Sequence, residues 1–120
     1  MAMTAQDLVT EAKSQVPPLS VTEFLTIQGQ KEPFYLIDVR EADEWNAGHI
    51  NGAIHIARGL LEFTIAEIVP NKHAPIIVQC ASGGRSALCA QMLLKMGYTN
   101  VKNFEGGYTA YVDAMKNKQS

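Results

Sequence analysis

The sequence predicts an α/β domain built on a parallel sheet with helices on both faces. Three observations predict it. Runs of strand formers alternate with helix-period segments along the whole chain. Two of those runs, 34–39 and 76–80, are apolar almost throughout, the pattern of strands covered on both sides. No repeat and no long linker divides the 120 residues, a length that suits a single core.

The elements follow in order. Thr4, with Asp7 three residues on, opens a helix whose apolar face is Leu8, Val9, Ala12 and Val16. Pro17-Pro18 ends it, so residues 1–18 read as a helical arm that packs on the domain. The domain itself is expected over 19–115. Ser20 and Glu23 form a second capping pattern, and Gly29 closes a short helix carrying Phe24 and Leu25. Phe34 to Val39 is a strand with Asp38 at its C-terminal end, the side on which open α/β sheets carry their sites. Glu41 to Asn46 is a short helix anchored by Trp45, and Gly48 to Ala53 a turn. Ile54 to Ile56 is a short strand, with His55 directed toward solvent. Arg58-Gly59 turns into a helix over 60–69, stopped by Pro70. The strand 76–80 ends on Cys80. From Ser86, the positions Leu88, Cys89, Met92, Leu93 and Met96 make one helical stripe, closed by Gly97. A strand at 101–104 and a last helix with Tyr108, Tyr111, Val112 and Met115 complete the domain, leaving 116–120 as a polar, frayed tail.

Composition excludes several classes of function. Hydrophobic residues make up 47% and charged residues 18%, which excludes bulk disorder. A net charge of −2 offers no basic surface for nucleic acid or an anionic membrane. No apolar run approaches a membrane span, and the N-terminus lacks the pattern of a signal peptide, so a cytoplasmic address is expected. Two cysteines, nine residues apart, suit neither a disulfide scaffold nor a zinc site; no metal or organic cofactor is expected.

The chemistry concentrates at Cys80-Ala81-Ser82-Gly83-Gly84-Arg85. A cysteine is nucleophilic as its thiolate. Cys80 precedes a helix N-terminus, whose partial positive charge favours an anion. It also precedes a loop of small residues whose N–H groups can turn inward. Arg85 closes the loop with a fixed cation. Four residues separate Cys80 from Arg85, one fewer than in cysteine phosphatases. The shorter loop curls around the sulfur itself and favours a terminal persulfide over a bound phosphate. Asp38 is read as an acceptor for neighbouring backbone N–H groups, and Arg40 as the partner of an acid. Cys89 is read as core, His49 as a brace for its turn, and Glu105-Gly106-Gly107 as structural.

Four stretches together resemble a known family. They are Leu36-Ile37-Asp38-Val39-Arg40-Glu41, Trp45 to Ile54, Cys80 to Ser86, and Asn103-Phe104-Glu105-Gly106-Gly107-Tyr108. In that order they resemble the single-domain rhodaneses, sulfurtransferases of the thiosulfate type, over roughly 19–112. The resemblance implies a mainly parallel five-stranded sheet flanked by helices. It implies that Cys80 carries sulfur, with N–H groups from Ala81 to Arg85 holding the persulfide. Its implied partners are small sulfur donors and acceptors (thiosulfate, persulfides, cyanide, thiols) or a sulfur-accepting protein. Many members place a basic residue directly after the cysteine. Here Ala81 stands there, and Arg58 is the candidate to supply charge from across the pocket. Two other readings compete: a non-catalytic interaction or sulfur-carrier module, and a phosphatase or arsenate reductase.

Overall fold

The structure, a computed structural model, describes residues 2–119. Helix α1, Ala5–Gln15, starts at the Thr4 cap, where the Thr4 hydroxyl and Asp7 carboxylate satisfy each other's backbone N–H groups. Strand β1, Pro18–Leu19, follows, then α2, Val21–Gly29, behind the same device made by Ser20 and Glu23. Next come β2, Tyr35–Asp38; α3, Ala42–Ala47; and β3, Ile54–His55. A 3-10 turn at Arg58–Leu60 leads into α4, Leu61–Ile68. Then follow β4, Ile76–Gln79; α5, Gly84–Lys95; β5, Val101–Phe104; and α6, Gly107–Gln119.

Among the described residues five strands form one sheet in the order β1-β5-β4-β2-β3, and every neighbouring pair is parallel. Strand β4 is therefore central, and all four of its residues are buried. Its side chains alternate between two cores. Ile76 and Val78 join Leu61, Ile65, Ala90 and Leu93 on the α4 and α5 face. Ile77 joins Phe24, Leu36 and Phe104 on the other, where Phe24 stacks on Phe104 at 4.6 Å between ring centroids. Covering both faces is what the unbroken apolar runs required. Parallel pairing throughout also sets every strand's C-terminus at one end of the sheet, and Cys80 follows β4 there.

Three local expectations change. The Pro17-Pro18 pair ends α1 as expected, and it also starts an unpredicted strand. Pro18 pairs with Asn103 at the sheet edge, where a residue without an N–H costs no ladder bond. The carbonyls of Pro17 and Leu19 accept from Asn103 and Glu105 instead. Ala12 on α1 and Val16 just past its end are buried, but Leu8 is 44% exposed, so the packed face is narrower than its pattern. At the other end α6 continues through Lys116 to Gln119, so residues 116–119 of the tail expected to fray form the helix's last turn, and Ser120 lies outside the described residues.

Candidate active site

Cys80 stands one residue past β4, and the loop 81–83 carries the chain into α5. Gly83 makes that turn possible. Its φ of +97° lies in the left-handed region, and any Cβ there would strike the Glu105 carbonyl. The Gly83 N–H donates to Cys80 Sγ at 3.1 Å. The Ser86 hydroxyl reaches the same sulfur at 3.3 Å from the first turn of α5. Burial pushes this thiol up. Hydrogen bonds from the Ser86 hydroxyl and amide, and from the Ser82 and Gly83 amides, outweigh it and bring the thiol below its usual range.

Ser86 is itself held. Its Oγ lies 2.6 Å from Asn103 Oδ1, and Asn103 Nδ2 donates to the Gly83 carbonyl at 3.2 Å. One hydroxyl proton thus serves either the amide oxygen or the sulfur, and a charged sulfur draws it.

Arg85 occupies the first turn of α5 rather than the end of the loop, because the helix begins at Gly84. Its guanidinium makes a two-pronged ion pair with Glu44 of α3, at 2.7 and 3.0 Å. The Glu44 hydrogen bonds push Arg85 up, with smaller contributions from the Cys80 thiolate. In return Arg85 holds the Glu44 carboxyl down at about 2. The cation expected to face the sulfur is therefore shared with a carboxylate. Glu44 can take this place because its Oε1 also caps α3, accepting from the Glu41 N–H at 3.1 Å.

A model of the rhodanese-like domain matches residues 20–114. The chain belongs to the rhodanese-like family. A relative from Bacillus subtilis (strain 168), named putative sulfur carrier protein YrkF, is 33% identical over 82% of this chain and 52% of its own length. Thiosulfate sulfurtransferase PspE of Escherichia coli (strain K12) is 37% identical over 58% of this chain and 67% of its own. The chain thus spans about half of the first relative and two thirds of the second. A solved structure from Rhodopseudomonas palustris CGA009, a protein of unknown function described as a possible tyrosine phosphatase, superposes with a TM-score of 0.88. It is 27% identical and covers 96% of this chain and 93% of that one.

Within this rhodanese-like frame the expected residues divide. Ser82 and Gly83 present their amides to the sulfur, while Ala81 is held by its carbonyl, which accepts from the Thr109 N–H. Gly84 opens α5 beside Val9. Asp38 and Arg40 lie at the end of β2, both buried. Asp38 accepts from the Arg40 backbone N–H and pairs with the Arg40 guanidinium at 2.9 Å. Arg40 also donates to the Gly48 carbonyl and lies over the Tyr108 ring. The Nε and Nη2 donors of this guanidinium are spent on Asp38 and the Gly48 carbonyl, so the pair braces the sheet end.

Arg58 is exposed and faces a different space. It lines a cleft of about 430 Å³ with Glu41, Glu62, Cys89, Gln91 and Met92; Cys80 is not among the lining residues. His55, expected toward solvent, is half-buried: its Nε2 meets the Arg40 carbonyl at 2.8 Å and its ring stacks on Trp45. His49 braces its turn through Nδ1 to the Trp45 carbonyl at 3.0 Å. Among the described residues no cluster of His, Cys, Asp or Glu could hold a metal ion, and no helix is long and apolar enough to cross a membrane.

The sequence alone assigns no site role to Ser86, Asn103 or Glu44, and Gly107 reads there only as part of a structural turn. Ser86, Asn103 and Gly107 lie inside two of the quoted motifs, and Glu44 stands three residues after Glu41, the spacing of a capping box.

Proposed function

We propose that this protein is a rhodanese-type sulfurtransferase that carries a sulfane sulfur on Cys80. The thiolate attacks the outer sulfur of a donor such as thiosulfate. The Cys80 S–S bond forms as the sulfur–sulfur bond of thiosulfate breaks, and sulfite leaves with the bonding pair. An acceptor nucleophile, cyanide or a thiolate, then attacks the outer sulfur, and Cys80 departs as thiolate. No proton is transferred between anionic reactants, so no general base is needed. The Ser82 and Gly83 amides and Ser86 serve as an anion hole whose occupant is sulfur.

The observation that carries this reading is the set of hydrogen-bond donors that converge on the sulfur of buried Cys80. Donor-treated protein is expected to gain the mass of one sulfur and to return to its starting mass on adding cyanide, with thiocyanate released. Untouched mass after treatment with thiosulfate and with glutathione persulfide would sink the reading. The proposed donors and acceptors are small sulfane compounds, thiols or a sulfur-accepting protein.

The name of the Bacillus relative supports a second reading, a carrier whose persulfide passes to a protein. Ala81, uncharged where a cation would attract thiosulfate's dianion, fits it. Rapid persulfide formation with slow thiocyanate turnover would select it. The phosphatase description of the Rhodopseudomonas protein has less support in this chain. The loop is one residue short of a phosphate cradle, and the donors already converge on the sulfur. Aryl phosphate hydrolysis is expected to be absent.

A further inference from the structure

The amides that serve the sulfur do not hold their own orientation; something behind the loop turns them. In a trans peptide the C=O and N–H point opposite ways. The peptide that gives the Ser82 N–H to the sulfur begins with the Ala81 carbonyl, and that carbonyl accepts from the Thr109 N–H at 3.0 Å. One peptide earlier, the Cys80 carbonyl accepts from the Tyr108 N–H at 2.8 Å. Both donors belong to the first turn of α6, where the helix leaves its N–H groups unused. The loop is thus clasped between two helix starts: α5 faces the sulfur, and α6 faces the carbonyls.

The clasp closes because residue 107 is glycine. Its φ is +60°. A Cβ there would stand 2.5 Å from the Cys80 oxygen and 2.6 Å from the Ala81 oxygen, contacts that backbone atoms cannot yield to cheaply. Any side chain would lift the first turn of α6 off both carbonyls.

We propose that Gly107 is a positioning residue for sulfur transfer: it lets α6 hold the Cys80 and Ala81 carbonyls outward, and so keeps the Ser82 N–H turned toward the sulfur. This rests on the sulfurtransferase reading and adds to it a part of the fold that touches no reacting atom.

The test compares strained glycines. Gly107→Ala is measured against Gly97→Ala, since Gly97 has a similar left-handed φ of +98° and open space around its Cβ. Both variants lose stability for the same backbone reason. The midpoint of the pH dependence of Cys80 alkylation, read by peptide mass, is expected to rise by about one unit in Gly107→Ala, a tenfold loss of thiolate near neutrality. It is expected to stay in place in Gly97→Ala. Thr109→Pro gives a second route, because it deletes one clasp donor at a helix position that does not use its N–H. Should Gly107→Ala fail to fold, a folded Thr109→Pro carries the comparison, with the same upward shift expected. Folded variants that keep the wild-type midpoint overturn the inference and leave the sulfurtransferase reading standing. A wild-type midpoint at the ordinary thiol value overturns both.

Discussion

Cys80 and Cys89 are nine residues apart and equally hidden, at 1% and 4% exposure, yet their thiols are pushed in opposite directions. Burial drives Cys89 up to about 12; the nearest relief, from the Arg58 charge, does not offset it. Burial drives Cys80 up as well, but hydrogen bonds from Ser86, Ser82 and Gly83 reverse the sign. The two sites differ in backbone, not in depth. Cys89 lies mid-helix in α5, where neighbouring amides are spent on the helix itself. Cys80 precedes that same helix, where the amides have no helical partner and a sulfur can take them. A buried cysteine is therefore inert or acidic according to whether it lies inside a helix or just before one.

The sharpest way to break this comparison is to delete each thiol. Cys80→Ser is expected to abolish both the sulfur mass gain and thiocyanate release. Cys89→Ser is expected to leave persulfide formation within about twofold of wild type, since a helix-buried protonated thiol takes no part. Loss of the mass gain in folded Cys89→Ser would show that the two sulfurs act together.

The next largest effect belongs to Ser86→Ala, which removes one donor from Cys80 and leaves the backbone of α5 intact. A hydrogen bond to a charged group contributes roughly 1.5–3 kcal/mol, which corresponds to a rise of about one to two units in the thiol midpoint. Persulfide formation near neutrality is expected to fall about tenfold or more and to recover at higher pH. Asn103 Oδ1, which accepts from Ser86 at 2.6 Å, loses its donor in the same variant, so a stability loss accompanies the shift. A lowered rate that higher pH does not restore would assign Ser86 to architecture alone.

The contrast between the two cysteines also explains what could be read from the sequence. Strand, loop and helix at 76–95 were legible because an apolar β-branched run, small loop residues and a 3.6-residue stripe are local signals. So was the acidic character of Cys80, which follows from its place before a helix. The partner of Arg85 was not legible. Glu44 lies 41 residues away, and only the β2 and β4 pairing brings α3 and α5 together. Ser86, Asn103 and Gly107 sat inside recognised motifs, but their roles depend on β5 lying beside β4, a contact between strands far apart in the chain. Strand β1 escaped because two residues carry no periodicity. Local chemistry was visible; the second layer that aims it was not.

Alkaline unfolding gives the third test, and here the two thiols act with opposite sign. Cys89 is raised in the folded protein. Its contribution to stability is complete below its unfolded value, about 8.5, and is lost as pH climbs through about 12. Cys80 is lowered. Its contribution is complete above the unfolded value and is lost as pH falls through its folded one. In chemical denaturation run from neutral to strongly alkaline pH, Cys89→Ala is expected to flatten the fall above pH ~9. Cys80→Ala is expected to remove a rise at lower pH. Matching curves for the two variants would mean that the thiols do not differ as argued.

The smallest expected effect lies at Glu44, which decides how much of the Arg85 charge the sulfur feels. Glu44 takes both prongs of the guanidinium, and its own pair with Arg85 is half-exposed at about a third on each side. Screening by water keeps such a pair weak, so Glu44→Gln is expected to change stability by less than about 1 kcal/mol at neutral pH. Its folded value near 2 places the pair's contribution above the ordinary carboxylate range, with loss as pH falls from about 4.5 toward 2. The variant is expected to flatten that acid limb. It also leaves Arg85 without a counter-charge beside the loop, so the Cys80 midpoint is expected to fall by a few tenths of a unit. A rise instead would show that Glu44 holds the guanidinium in place for the sulfur, and that orientation outweighs the charge it cancels.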